Sequence, residues 1–168
     1  MPGTPVMATP TVSIVIPAKN EERYLPLLLE GLAKQTVLPQ QIILADADST
    51  DKTRDIARQH GCTIVEGGLP GVGRNAGAKI ATGDVLLFLD ADVQIVDPKF
   101  IESALNEFTA KHFDIAAPDV SLLSGRLADK FGHWFYNHYV RLWGAWRPHA
   151  PGFCIFMRRS LFEAVGGF

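Results

Sequence analysis

The chain is short of cysteine, of net charge and of long apolar runs, and each shortage removes a class of protein. Its 168 residues include 2 cysteines, Cys62 and Cys154, each inside an apolar run. That excludes a disulfide-stapled secreted scaffold, and the pair reads as buried free thiols in a reducing compartment. Lys and Arg number 16 against 18 Asp and Glu, a net charge of −2, without the clustered basic surplus that nucleic-acid binding requires. No apolar run, Val85 to Leu89 included, approaches the roughly 18 residues of a membrane span. Residues 1–11 carry Pro2, Pro5 and Pro10 among Thr and Gly, with no basic region and no apolar stretch. They read as a frayed tail and not as a signal peptide, which with the thiols points to the cytoplasm.

What is present is an ordinary globular composition, 47% hydrophobic and 20% charged. A chain of this length buries roughly 70% of its unfolded surface without staples. Short apolar runs alternate with helical stretches. Val12 to Ile16, Ile42 to Ala45, Cys62 to Val65, Val85 to Leu89 and Phe113 to Ala117 read as strands. Leu25, Leu28, Leu29 and Leu32 fall at helical spacing, after a cap at Asn20 with first-turn carboxylates Glu21 and Glu22, and with Pro26 at an early position. A second helix is capped by Ser49 to Asp51 and ends at Gly61; another begins at Asp97-Pro98 and runs to about Lys111. Between them, Gly67 to Gly73 reads as a glycine-rich turn before a short helix from about Arg74 to Ala81. Ser160 and Glu163 read as a capping box. Strands alternating with helices imply parallel βαβ units in a doubly wound sheet.

In such sheets ligands bind at the carboxyl edge of the strands. The first strand ends at Pro17-Ala18-Lys19-Asn20, the second at Asp46-Ala47-Asp48 and the Val85 strand at Asp90-Ala91-Asp92. In extended chain, residues two apart share a face, so Asp90 and Asp92 point together. Two hard oxygen ligands at that spacing suit Mg²⁺ or Mn²⁺ bridging substrate phosphates, or a metal and a ribose hydroxyl. The bland reading is that Asp ends strands because it favours turns. Gly71 to Gly77 departs from the dinucleotide fingerprint by one residue and follows the third strand, not the first, which argues against a dehydrogenase. Arg74 at a helix N-terminus offers an anion site, against the alternative of a solvated turn.

Together these segments resemble the catalytic domain of a family 2 glycosyltransferase of the GT-A fold, from Val12 to Phe168. Val12 to Glu22 is similar to that family's opening strand and Pro-x-x-Asn-Glu turn, and Asp46 to Asp51 to its Asp-Asp-Gly-Ser-Thr-Asp segment. Arg74-Asn75-Ala76-Gly77 resembles its Arg-Asn-x-Gly, Leu87 to Asp92 its strand and D-x-D motif, and Gly152 to Phe168 its acceptor-side strand and Gly-Gly-Phe turn. The resemblance implies an α/β three-layer sandwich, Rossmann-like, with a mostly parallel central sheet. It implies transfer of a sugar from a nucleotide-diphosphate sugar to an acceptor hydroxyl, dependent on Mn²⁺ or Mg²⁺ and inverting.

By the same resemblance, Asp46 contacts the nucleobase, with Pro17 and Ala18 beside it and Glu21 in the donor site. Arg74 reaches the nucleotide or its phosphates, Asp90 faces the ribose or metal, and Asp92 ligates the metal. Two departures stand out: Ala47 replaces the family's second Asp, and Asp48 its Gly. The family's general base follows the Gly-Gly-Phe turn and so is expected beyond Phe168, making residues 12–168 a catalytic domain without its C-terminal part. The rival is a fragment that binds the nucleotide sugar without turnover. A sugar nucleotidyltransferase wants a Gly-rich, Arg-containing loop where Pro17 to Asn20 stand.

All 3 tryptophans fall in the aromatic stretch 131–146, at intervals of three and four. It admits three readings: packing on the sheet, a platform for a sugar acceptor, or peripheral contact with the inner face of a membrane, suiting a lipid-linked acceptor as well as a polysaccharide. His149 is a candidate second metal ligand.

Overall fold

A computed structural model describes residues 9–118, 138 and 152–168. Residues 1–8 of the expected tail 1–11, the aromatic stretch 131–146 apart from His138, and His149 lie outside the described residues, while Thr11, expected in the tail, is tied to Asp84 by its N–H and its hydroxyl. The elements are β1 (Val12–Ala18), α1 (Leu25–Ala33), β2 (Gln41–Asp46), α2 (Thr53–Gln59), β3 (Thr63–Glu66), α3 (Pro70–Ala78), β4 (Val85–Leu89), α4 (Phe100–Ala110), β5 (Ile115–Ala116), β6 (Cys154–Arg158) and α5 (Arg159–Val165).

The strands form one 6-stranded sheet in the order β3-β2-β1-β4-β6-β5. β1 pairs in parallel with both β2 and β4, and β2 with β3, while β6 runs antiparallel to β4 and β5. The expected mostly parallel sheet is thus present, with β4 inside it. All five residues of β4 are buried, as a strand covered on both faces must be.

Alternation along the strands sends side chains to two cores. Ile14, Ile16, Leu44, Leu87 and Leu89 join Leu25, Leu28 and Leu32 of α1 and Ile101, Leu105 and Phe108 of α4. Val15, Ile43, Leu86 and Phe88 join Ala78, Ala81 and Phe162 on the opposite face. Each face buries its own helices, which gives three layers. Both cysteines are free and buried.

Several local expectations fail, for instructive reasons. The glycine-rich run is helical from Pro70 onward: α3 begins there, so Arg74 lies inside the helix and not at its N-terminus. Its glycines serve close approach. A Cβ on Gly77 would stand 2.4 Å from Val15 Cγ1, and one on Gly73 3.4 Å from Pro17 Cβ and 3.5 Å from Ala45 Cβ. Four residues apart, they let one face of α3 lie directly on β1 and β2. Asn20 caps nothing; it adopts a left-handed φ of 57° and α1 starts later, with Pro26 in its first turn. Ser160 and Glu163 form no capping box, because α5 begins at Arg159, placing the N-cap at Arg158, two residues before Ser160, and Glu163 instead accepts from Arg159 Nη1 at 2.9 Å.

Candidate functional site at the carboxyl edge of the sheet

The connections after β1 and β2 are laced to each other. Asn20 N donates to Ser49 Oγ at 2.9 Å, and Asn20 Oδ1 accepts from Thr50 N at 2.8 Å. Glu21 N donates to Thr53 Oγ1 at 2.7 Å, Glu22 N to Asp51 Oδ2 at 3.0 Å, and Lys52 N to Glu22 Oε2 at 3.1 Å. Motif residues that look chemical in the sequence therefore satisfy each other's backbone. Two polar turns, which otherwise would need water, become one rigid rim.

Within that rim lies a cleft of about 540 Å³, lined by Pro17, Ala18, Lys19, Glu21, Ala47, Asp48, Gly68, Leu69, Pro70, Arg74, Asp90, Ala91 and Asp92. Of the residues singled out in the sequence, Pro17, Ala18, Glu21, Arg74, Asp90 and Asp92 come together here. Asp46 does not line the cleft. It sits just beneath, 1% exposed, between Ala45 and the lining residues Ala47 and Asp48.

Burial and company set the carboxylates apart. Glu21 is held above its ordinary value by burial first, then by repulsion from Asp92, Asp51 and Asp90. Asp90 is also held up by burial, with Asp92 adding to the shift and Arg74 opposing it. Arg74 Nη2 donates to Asp90 Oδ1 and to the Gly152 carbonyl, both at 2.7 Å, so one guanidinium ties the end of β4 to the entry of β6. Its Nε is buried with no partner among the described residues. Asp46 Oδ2 accepts from Arg54 Nε at 2.7 Å and Ser49 N at 3.1 Å, while Oδ1 is buried with no partner among the described residues.

Among the described residues, no group of three or more His, Cys, Asp and Glu is gathered closely enough to enclose a metal ion. Asp90 and Asp92 on one wall fit a different arrangement, the open Mg²⁺-type site in which one or two carboxylates leave the remaining positions to phosphates and water.

Sequence reasoning missed Arg54, which lies off the cleft, and Asn75. Asn75 Oδ1 accepts from Phe168 N at 2.9 Å and its Nδ2 donates to the Phe168 carbonyl at 3.1 Å, clasping the Gly-Gly-Phe turn to α3. The signal for Asn75 was its place in the Arg74-Asn75-Ala76-Gly77 segment, to which no role for Asn75 was attached. For Arg54, on α2, there was none, since its partners Asp46 and Glu66 stand on two strands, β2 and β3.

The family model described as glycosyl transferase family 2 matches residues 13–166. The chain belongs to that family. This family 2 chain is 32% identical over 114 residues to a 4,4'-diaponeurosporenoate glycosyltransferase of Staphylococcus haemolyticus, covering 62% of the chain and 30% of that protein. It is 31% identical to a PGL/p-HBAD biosynthesis glycosyltransferase of Mycobacterium bovis, covering 96% of the chain and 64% of that protein. The mannosyltransferase PcManGT of Pyrobaculum calidifontis, solved with GDP-Man and Mn²⁺, superposes with a TM-score of 0.75 at 22% identity, over 96% of this chain and 48% of that one. S. aureus TarS with UDP-GlcNAc superposes with a TM-score of 0.70 at 21% identity, over 93% of this chain and 47% of that one. The fold is GT-A, as expected. The chain spans under two thirds of each of these relatives. No helix among the described residues is long and apolar enough to cross a membrane.

Proposed function

We propose that this family 2 chain binds a nucleotide-diphosphate sugar in the cleft and serves its transfer, with inversion, to an acceptor hydroxyl. The reading rests on one observation above the rest: Asp90, Asp92, Glu21 and Arg74 converge on a single cleft at the carboxyl ends of β1 and β4, directly over the buried and half-satisfied Asp46. The solved relatives with GDP-Man and Mn²⁺ or with UDP-GlcNAc support the donor class.

In this reading the base lies against Pro17 and Ala18, and its edge donates an N–H to Asp46 Oδ1. That atom is shielded in the ligand-free fold, so the contact forms as the covering wall yields on binding. Asp90 meets the ribose or a cation, Asp92 the cation. A bound Mn²⁺ or Mg²⁺ supplies neutralisation of the departing diphosphate. Arg74 adds a fixed positive charge on the same side, already oriented by Asp90 and Gly152, so little reorganisation is needed as charge develops. The acceptor oxygen attacks the anomeric carbon opposite the leaving group. The carbon–oxygen bond to phosphate breaks with its electron pair going to the phosphate, and the acceptor's proton passes to a base.

A second reading is donor binding without turnover. It is favoured by the cleft's own composition: among the described residues, no acidic side chain from β6 or α5 lines it, and Glu163 is paired with Arg159. Calorimetric titration with UDP and GDP, each with and without Mn²⁺, tests the common core of both. At least one nucleotide binds, and binds more tightly with Mn²⁺; binding of neither refutes the donor assignment.

A further inference from the structure

Asp46 presents an asymmetry that its own strand does not explain. Its side chain is fully buried, with Oδ2 carrying two donors and Oδ1 none. A buried acceptor left without a partner is expensive to the fold and calls for a reason. The two carboxylate oxygens are chemically equivalent, so exchanging them changes nothing; what can be fixed is the plane and direction of the carboxylate. A guanidinium fork fixes them. Arg54 Nε holds Oδ2 at 2.7 Å, and its Nη2 holds Glu66 Oε1 at 2.8 Å. Glu66 is the register partner of Asp46 on β3, so Arg54 straddles the ends of two paired strands.

The base of Arg54 is fixed as well. It follows Thr53, which is 0% exposed and whose Oγ1 receives Glu21 N from the β1 turn. Around Asp46 the neighbours are small: Ala18 faces it across β1, Ala47 follows it, and Gly67 N donates to its carbonyl at 2.7 Å. A Cβ on Gly67 would lie 2.7 Å from the Ala45 carbonyl oxygen, so the backbone can run this close only with glycine there. Small residues therefore surround a buried acceptor of fixed direction, directly behind the cleft-lining residues Ala47 and Asp48.

We propose that Arg54 is a positioning residue for the nucleobase, orienting Asp46 through its fork to Glu66 so that Oδ1 alone is offered to the ring N–H. This rests on the donor-binding reading above. Arg54 does not line the cleft and touches no part of a bound donor; it acts through Asp46. Planar two-point holding is what lysine cannot supply.

The test measures UDP, GDP and pyrophosphate binding to the whole chain in Mg²⁺ by calorimetry, for the wild type, Arg54→Met, Arg54→Lys and Glu66→Gln. A positioning role acts on the nucleoside part alone. Arg54→Met weakens the better-bound nucleotide about tenfold, the scale of one hydrogen bond to a charged group, and leaves pyrophosphate within about twofold. Arg54→Lys restores part of the loss, to about threefold. Glu66→Gln, which loosens only the outer arm, weakens nucleotide about twofold and carries the test if Arg54→Met does not fold. Equal losses for nucleotide and pyrophosphate, or unchanged nucleotide binding in Arg54→Lys and Glu66→Gln, overturn the proposal. Failure of the wild type to bind either nucleotide refutes the donor reading itself, and this inference with it.

Discussion

The carboxylates that close β2 and β4 stand on either side of β1 and meet opposite surroundings. Asp46 is sealed, with one oxygen saturated by Arg54 and Ser49 and the other empty. Asp90 is about a third exposed, paired once with Arg74, and repelled by its neighbour Asp92. A sealed acceptor with a fixed direction suits a neutral ring N–H, whose recognition is geometric. An open, like-charged pair suits phosphate and a divalent cation, whose attraction reaches further and tolerates water. In the proposed reading one sheet edge offers two recognition chemistries, two strand spacings apart, by burying one carboxylate and leaving the other wet.

The contrast can be broken most severely through α3, which carries Arg74 to Asp90. Gly77→Ala would drive a Cβ to 2.4 Å from Cγ1 of Val15, itself fully buried and paired into the sheet on both sides. We expect a loss of about 3 kcal/mol in urea denaturation, the upper end for overpacking, with Arg74 withdrawn from Asp90. Next comes Arg74→Met, which leaves Asp90 without its counter-charge. Asp90 is partly exposed, so the expected loss near neutrality is about 1 kcal/mol, well below that for a sealed pair. The effect has a pH signature. Asp90 is held above its ordinary value, so the folded chain binds its proton more tightly than the unfolded chain. Stability therefore falls as pH rises from the ordinary carboxylate range through that raised value, and Arg74→Met steepens the fall.

The smallest expected effect lies at the other end of β4. Asp84 accepts from both Thr11 N and Thr11 Oγ1 at 2.9 Å, and those bonds hold its carboxyl below the ordinary value. Its contribution is present above the ordinary value and lost as pH falls through the lowered one, the reverse of Asp90. Asp84→Asn should cost about 0.5 kcal/mol near neutrality, because the group is exposed, and should flatten the acid limb of the stability curve while leaving nucleotide affinity unchanged. The aspartates at the two ends of one strand thus contribute pH slopes of opposite sign.

Much of this was legible in the sequence. β4 announces itself as an unbroken apolar run, and the carboxyl-edge rule alone places Asp90, Asp92 and the β1 turn together. The glycine-rich run misled because glycine signals both turns and close packing. Only the strand that α3 lies on, with Val15, Pro17 and Ala45, decides between them. The polar motif residues Asn20, Ser49, Thr50 and Asp51 were visible but their partners were not, since each bonds across to the other turn. Arg54 was silent for the same reason: its meaning comes from Asp46 and Glu66 on two strands.

The measurement that bears most directly on the two-chemistry account is Mn²⁺-dependent binding of UDP and GDP by Asp92→Asn beside the wild type. The account predicts that the variant retains weak nucleotide binding through Asp46 and loses the gain from Mn²⁺. An undiminished Mn²⁺ enhancement in Asp92→Asn would contradict it.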